Sequence, residues 1–397
     1  MDFDPPQAVR PLLDKVERFV TDVVMPAELD VLEHGFAKSE PALVELRLRA
    51  KEAGLWGPQL PPDLGGLGLG LVEHALVSER LGRSPLGHYA LGCQAPDAGN
   101  IEILHKFGSE AQKARWLAPL ARGEIRSCFS MTEPENPGSN PTLMSCQATK
   151  DGDHYIVAGH KWFTTAADGA AFAIVMAVTN PEAPPHMRAS MIIVPTDAPG
   201  FDRVRNIKIM GDAGSGYGSH SEIWYRDVRV PQDNRLGAEG AGFMIAQERL
   251  GPGRIHHCMR WIGICERTFD TMCRHISRRK IDEEKTLATR QIAQAWVAEA
   301  RAEIDASRLM VLHAAWTIEN KGFSAARDQV SLIKFFVADV MLRLVDRAIQ
   351  LHGALGITSD TILAHYYVHE RGARIYDGPD EVHKMVVAKR ILQRYDA

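Results

Sequence analysis

The sequence predicts an α+β multidomain protein, with an N-terminal α-helical domain, a central antiparallel β-barrel-like domain and a C-terminal four-helix-type bundle. Three observations carry this. Apolar residues recur at helical spacing from residue 6 to about 122; short β-branched and aromatic runs replace them between about 123 and 233; the helical period returns after Gly242 and holds to the end. The expected domains are therefore residues 1–122, 123–233 and 234–397, and a chain of 397 residues supplies ample core material for them.

In the first segment, residues 16–24 and 43–51 place apolar side chains three and four apart, as one face of an amphipathic helix requires. The glycine-rich stretch 61–70 reads as a structural turn, because it lacks the Lys-Ser/Thr of a phosphate-binding loop and no clear strand precedes it. In the second segment, residues 126–132, 154–159, 171–178, 190–194 and 222–228 are strand-like runs bounded by Gly, Asp, Asn or Pro. No long helix separates them, which predicts antiparallel pairing. The glycine-rich loop around Ser215 has no Gly-x-Ser-x-Gly spacing and so no nucleophile elbow. In the third segment, residues 243–249, 254–279, 286–321, 325–352 and 382–395 read as helices that pack into a bundle and against other subunits.

Composition excludes several classes. Hydrophobic residues at 45% and charged residues at 24% are those of a soluble globular protein, and a net charge of -4 with dispersed Lys and Arg gives no reason to expect nucleic acid. The six cysteines form neither a C-x-x-C pair nor a zinc spacing, which reads as buried thiols in a reducing compartment. The acidic opening is unlike a targeting peptide and the apolar run 169–178 is too short to span a bilayer, so the expectation is a cytoplasmic protein without an integral membrane segment.

The most informative ten residues are Arg374-Ile375-Tyr376-Asp377-Gly378-Pro379-Asp380-Glu381-Val382-His383. Gly378-Pro379 forces a turn between two helical stretches, and the residue just before it is a carboxylate beside an aromatic ring. Asp377 is the candidate proton acceptor, and Asp380 fits an N-cap of the last helix. His256 and His257 are adjacent, so on a helix at most one faces a pocket. His365, His369 and Glu370 have ligand spacing but not the H-E-x-x-H order, and no third ligand is evident, so no metal site is expected.

Four segments, taken in order, resemble the acyl-CoA dehydrogenase family across essentially the whole chain. Phe129-Ser130-Met131-Thr132-Glu133-Pro134 with Gly138-Ser139 is similar to its signature loop, and Lys161-Trp162-Phe163-Thr164-Thr165 to its flavin-facing strand. Gln350-Leu351-His352-Gly353-Ala354-Leu355-Gly356 resembles its Q-x-x-G-G-x-G segment, and Tyr376-Asp377-Gly378 its catalytic turn. Residues 250–260 with 377–383 look most like the branch of vertebrate members ten and eleven. Those often carry a kinase-like domain ahead of the dehydrogenase, and this chain resembles the free-standing, bacterial form.

The resemblance implies FAD as cofactor, an acyl-CoA substrate oxidised to its 2,3-enoyl form in fatty acid β-oxidation, an electron-transfer flavoprotein as acceptor, and a homodimer or homotetramer. It places Asp377 as base, where most of the family has glutamate, and Arg254 near the catalytic cavity. Gly253 stands at the family's alternative base position and cannot take a proton. For the flavin it implies main-chain groups of Met131, the hydroxyl of Thr132, the ring of Trp162, Thr164 near N5 and Ser139 toward the pyrophosphate. Arg279, Gln350 and Gly353 are implied to reach the FAD of a neighbouring subunit. Ala354 replaces the family's second glycine and Pro379 the threonine two residues after the base, so those two contacts do not carry over. Two further readings fit the same residues: a flavin oxidase of the nitroalkane type, suggested by an aspartate base, and a flavin-less binding protein, suggested by the two missing contacts.

Overall fold

In a computed structural model that describes residues 4–395, the central runs form one eight-stranded sheet. Its strands are β1 (Ser127–Ser130), β2 (Gln147–Asp151), β3 (His154–Thr165), β4 (Phe172–Val178), β5 (Ala189–Pro195), β6 (Phe201–Asn206), β7 (His220–Pro231) and β8 (Arg235–Leu236). They lie in the order β6-β7-β3-β2-β4-β5-β8, with β1 also paired to β4.

The expectation of an antiparallel, barrel-like sheet is corrected here: the sheet is mixed and open. β1 and β2 both run parallel to β4, while the remaining pairs are antiparallel. Two strands in the same direction cannot be joined by a hairpin, and the long loop 131–146 is the crossover this requires. β2, β6 and β8 were not expected, because β2 and β6 are mostly exposed and polar and β8 is two residues long.

β4 and β5 are buried almost throughout, and the two-residue period of a strand divides their side chains between two cores. Phe172, Ile174 and Met176 join Met191, Ile193 and residues of the helix Asp97–Phe107 in one core. Ala173, Val175 and Ala177 join Ile192, Val194, Tyr155 and Tyr225 in the other.

By compactness the chain falls into two units. The sheet belongs with Ala27–Gly68 and Tyr89–Leu250; the described residues up to Pro26, Leu69–His88 and those from Gly251 on form the other. In the helical unit, Gln291–Lys321 packs on Phe323–His352, which also packs on Asp380–Leu392, and Leu71–Gly82 packs on both Arg10–Phe19 and Gln291–Lys321. The segments expected at 243–249 and 254–279 are one continuous helix, Gly242–Arg278. It meets Leu71–Gly82 backbone to backbone: a Cβ on Gly82 would lie 2.2 Å from the Arg260 carbonyl oxygen, and one on Gly263 2.1 Å from that of Glu79. Among the described residues, no helix is long and apolar enough to cross a membrane.

Candidate active site

Asp377 has φ +54° and Gly378 φ +99°, placing both in the left-handed region. A non-glycine residue there is strained by about 1–3 kcal/mol and persists only where its surroundings over-determine it. Here three side chains grip the turn. Lys334, fully buried on Phe323–His352, donates to the carbonyls of Ala373 at 2.6 Å and Gly378 at 3.2 Å. Arg254 Nε donates to the Asp377 carbonyl at 3.2 Å, and His383 Nε2 lies 3.2 Å from the same oxygen. A Cβ on Gly378 would come within 2.7 Å of His383 Nε2, so glycine is required for space as well as for φ.

The Asp377 carboxylate has a different partner. Its Oδ2 lies 3.1 Å from Nε2 of His257, both side chains being about four-fifths buried. The His257 ring sits 5.4 Å from the Tyr376 ring. The Tyr376 hydroxyl accepts hydrogen bonds from Arg260 at 3.0 Å and from the Trp261 indole at 3.3 Å, and Arg260 is paired through both its terminal nitrogens with Glu370.

Burial sets most of the titration behaviour. It lowers the pKa of Arg254 and of Lys334, against the opposing pull of Asp377 on each. It raises that of Tyr376, and with Arg254 nearby it pushes His383 down to about 4. For Glu370 burial pushes upward, but Arg260 overcomes it and holds the carboxyl below its ordinary range.

Asp380 does start the last helix, but it does not cap it. It is the first helical residue, Pro379 holds the N-cap position, and its carboxylate accepts from Arg374 Nε at 2.6 Å instead of from a backbone N–H. His256 and His257 diverge as expected. His257 faces the turn, whereas the His256 ring lies 4.1 Å from His74, and His88 Nε2 lies 2.8 Å from the Ser78 hydroxyl. Burial pushes His256 down to about 3 and His74 and His88 well below the ordinary histidine value. The rings of His365 and His369 stack at 4.1 Å, and among the described residues no group of three side chains could hold a metal ion.

The sheet unit brings Met131, Thr132, Trp162 and Thr164 together. Asp97 Oδ1 accepts from both the backbone N–H and the hydroxyl of Ser127, anchoring the start of β1, whose far end leads into Met131 and Thr132. The backbone N–H of Trp162 donates to the Thr132 carbonyl at 3.0 Å, and the Thr164 and Ser130 hydroxyls are 3.1 Å apart. Between Lys161 and Thr164 the β3–β7 register slips, and Phe163 takes φ +50°. This bulge re-aims Trp162 and Phe163. The buried indole Nε1 of Trp162 has no hydrogen-bond partner among the described residues.

Lys161 is fully buried. It donates to the Met131 carbonyl at 2.8 Å and to Glu133 at 2.9 Å, and Glu133 also accepts the N–H groups of Ser145 and Cys146. Burial pushes Glu133 upward, but Lys161 and these donors hold it below its ordinary value. Ser139 is exposed on the same loop, in a turn closed by Asn140 N–H to the Pro137 carbonyl.

Arg279, Gln350 and Gly353 do not join Asp377 and Arg254. Arg279 follows the end of Gly242–Arg278, whose last residue lies about 36 Å along the axis from Arg254 at 1.5 Å per residue. Gln350 is exposed in the last turn of Phe323–His352, which Gly353 terminates with φ +63°. The two helix ends adjoin through the His275 and His352 rings, stacked at 4.0 Å.

Three family models cover this architecture: the N-terminal, middle and C-terminal domains of acyl-CoA dehydrogenase match residues 7–124, 128–228 and 240–392. The chain belongs to the acyl-CoA dehydrogenase family. It is 43% identical, over 96% of its length and 94% of the other's, to the Mycobacterium tuberculosis protein named Probable acyl-CoA dehydrogenase FadE2. It is 40% identical to acyl-CoA dehydrogenase family member 11 of Rattus norvegicus, matching 96% of this chain but only half of that longer protein. A solved structure from Mycobacterium abscessus superposes with a TM-score of 0.94 at 38% identity, covering 99% of this chain and all of the other.

Within this family of oxidoreductases, the neighbours of the turn that sequence reasoning did not place there are Lys334, His257, Arg260 and Glu370. Lys334 had a signal, a lone lysine inside the apolar run Leu332-Ile333-Lys334-Phe335-Phe336-Val337. His257 stood in an adjacent histidine pair of which at most one could face a pocket, and Glu370 beside a ligand-spaced histidine pair, but nothing local tied either of them, or Arg260, to the turn.

Proposed function

We propose that this acyl-CoA dehydrogenase is FAD-dependent and oxidises an acyl-CoA thioester to the trans-2-enoyl-CoA, with Asp377 taking the α-proton. One observation carries the reading: the Asp377 carboxylate stands on a left-handed turn whose main chain is gripped by Arg254, Lys334 and His383. Strain of this kind concentrates where a group must be held in one geometry. An aspartate reaches one methylene less than a glutamate, so a pinned main chain matters more for it.

Bound FAD supplies the acceptor for the β-hydride. The residues of β3 and its neighbouring loop fit such a ring: Trp162 offers an aromatic wall and a buried, unpartnered indole N–H, Met131 and Thr132 offer polar groups on the adjoining chain, and Thr164 a hydroxyl. Ser139 would approach the pyrophosphate. Arg279, Gln350 and Gly353 would serve the cofactor of a neighbouring subunit in a homodimer or homotetramer, in keeping with their distance from Arg254. An electron-transfer flavoprotein would take the electrons onward.

The test is anaerobic titration of the FAD-reconstituted protein with a panel of acyl-CoAs. Bleaching of the flavin by at least one member, and recovery of colour with an electron-transfer flavoprotein, are expected. A protein that stays colourless after FAD addition overturns the cofactor, and peroxide release without an added acceptor moves the reading to an oxidase.

A further inference from the structure

Three contacts fix the main chain around Asp377, but none of them fixes the plane of its carboxylate. Rotation about a terminal carboxylate bond is broad and roughly two-fold, so a carboxylate held only through its backbone samples many orientations. His257 touches the carboxylate itself, with Nε2 3.1 Å from Oδ2. The imidazole is in turn confined. Its ring lies 22° from the plane of Trp261 at 6.1 Å and 5.4 Å from Tyr376. Tyr376 is held by Arg260 and Trp261, and Arg260 by the buried Glu370. Contacts therefore run without a break from Glu370 to the carboxylate, through side chains with little freedom of their own.

We propose that His257 is the positioning residue of the base: its Nε2–H donates to Asp377 Oδ2 and fixes the carboxylate plane for removal of the α-proton. The inference rests on the reading of Asp377 as the base. His257 keeps its proton throughout; the α-proton goes to the Asp377 carboxylate. The imidazole does for an aspartate what a longer side chain cannot supply here, since it selects one rotation of a carboxylate whose backbone has already been immobilised.

The experiment uses the FAD-loaded protein and an acyl-CoA that bleaches it. His257→Phe keeps a ring and removes the donor; His257→Gln puts an amide nitrogen where Nε2 stands; His257→Asn puts one where Nδ1 stands. For each variant the measurements are FAD content, the limiting rate of anaerobic bleaching, the half-saturating acyl-CoA concentration, and the isotope effect with α-deuterated substrate.

The phenylalanine variant is expected to lose on the order of 10–100-fold in limiting rate, with half-saturation changed by no more than about threefold and a larger isotope effect. Glutamine should restore most of the rate and asparagine should not. The proposal is overturned if the phenylalanine variant bleaches like wild type, or if glutamine is no better than asparagine. If the phenylalanine variant does not hold FAD, the glutamine and asparagine pair decides alone. Full bleaching by Asp377→Asn would instead remove the base assignment itself, whereas a dead Asp377→Asn beside an unimpaired His257→Phe would sink only the positioning role.

Discussion

Around Asp377, Lys334 and Arg254 direct their donors to main-chain oxygens, and the carboxylate meets an imidazole. Around Trp162, the lysine of the stretch is paired with a buried glutamate, and hydroxyls, amides and an aromatic ring make up the rest of the constellation. The first region keeps a reactive charge and immobilises its backbone; the second cancels its charge internally and keeps neutral groups. A proton acceptor needs an ionised group held still, while an aromatic ring system needs a flat, uncharged surface. Charge is useful in one region and must be neutralised in the other.

The largest effect should come from the first region. Asp377→Asn is nearly isosteric and removes the base, so flavin bleaching should fall by about 10²- to 10⁴-fold with FAD content unchanged, as rapid-mixing absorbance would record. The second region should answer in the opposite way. Lys161→Met leaves Glu133 buried without its cation, which costs about 3–5 kcal/mol, and the visible result should be lost FAD and a lower Tm. Retained FAD with only a slowed reaction would break the contrast between the two regions.

Acid should act on the helical unit. His74, His88, His256 and His383 all have pKa values lowered in the folded protein, to about 3 for His256 and about 4 for His383. In the unfolded chain they take up protons near pH 6.5, so between there and the folded values the unfolded state binds more protons. Stability must then fall as pH falls, by up to about 1.4 kcal/mol per pH unit for each histidine. Urea unfolding followed by circular dichroism at pH 7.5 and 5 should give a lower midpoint at pH 5. The smallest change is Gly378→Ala, which strains a left-handed position and crowds His383, for about 1–3 kcal/mol in thermal stability and a slower bleaching rate.

How much was legible beforehand differs between the regions. The turn announced itself, because Gly378-Pro379 cannot continue a helix and a carboxylate precedes it. Its supports were less legible: Lys334 stood out as a lone lysine in an apolar run, but only packing ties it or His257 to Asp377. The strand at Trp162 was legible through resemblance, yet the bulge that re-aims it depends on the register against β7. The expected runs, β1 among them, were read as antiparallel because local composition says nothing of direction; β1 and the unforeseen β2 run parallel to β4, a course the loop 131–146 permits. The last helix was placed to within a few residues, but Asp380 proved to be a partner of Arg374 and not a cap.

The sequence alone determined the periods, the turn at Asp377 and the family, since each is written in neighbouring residues: apolar spacing, Gly-Pro punctuation and short motifs. Tertiary structure alone decided which charges are cancelled and which are kept. Lys161 finds Glu133 and His257 finds Asp377 only once strands and helices have packed, because the energy of a buried charge depends on the groups that packing brings within hydrogen-bonding distance.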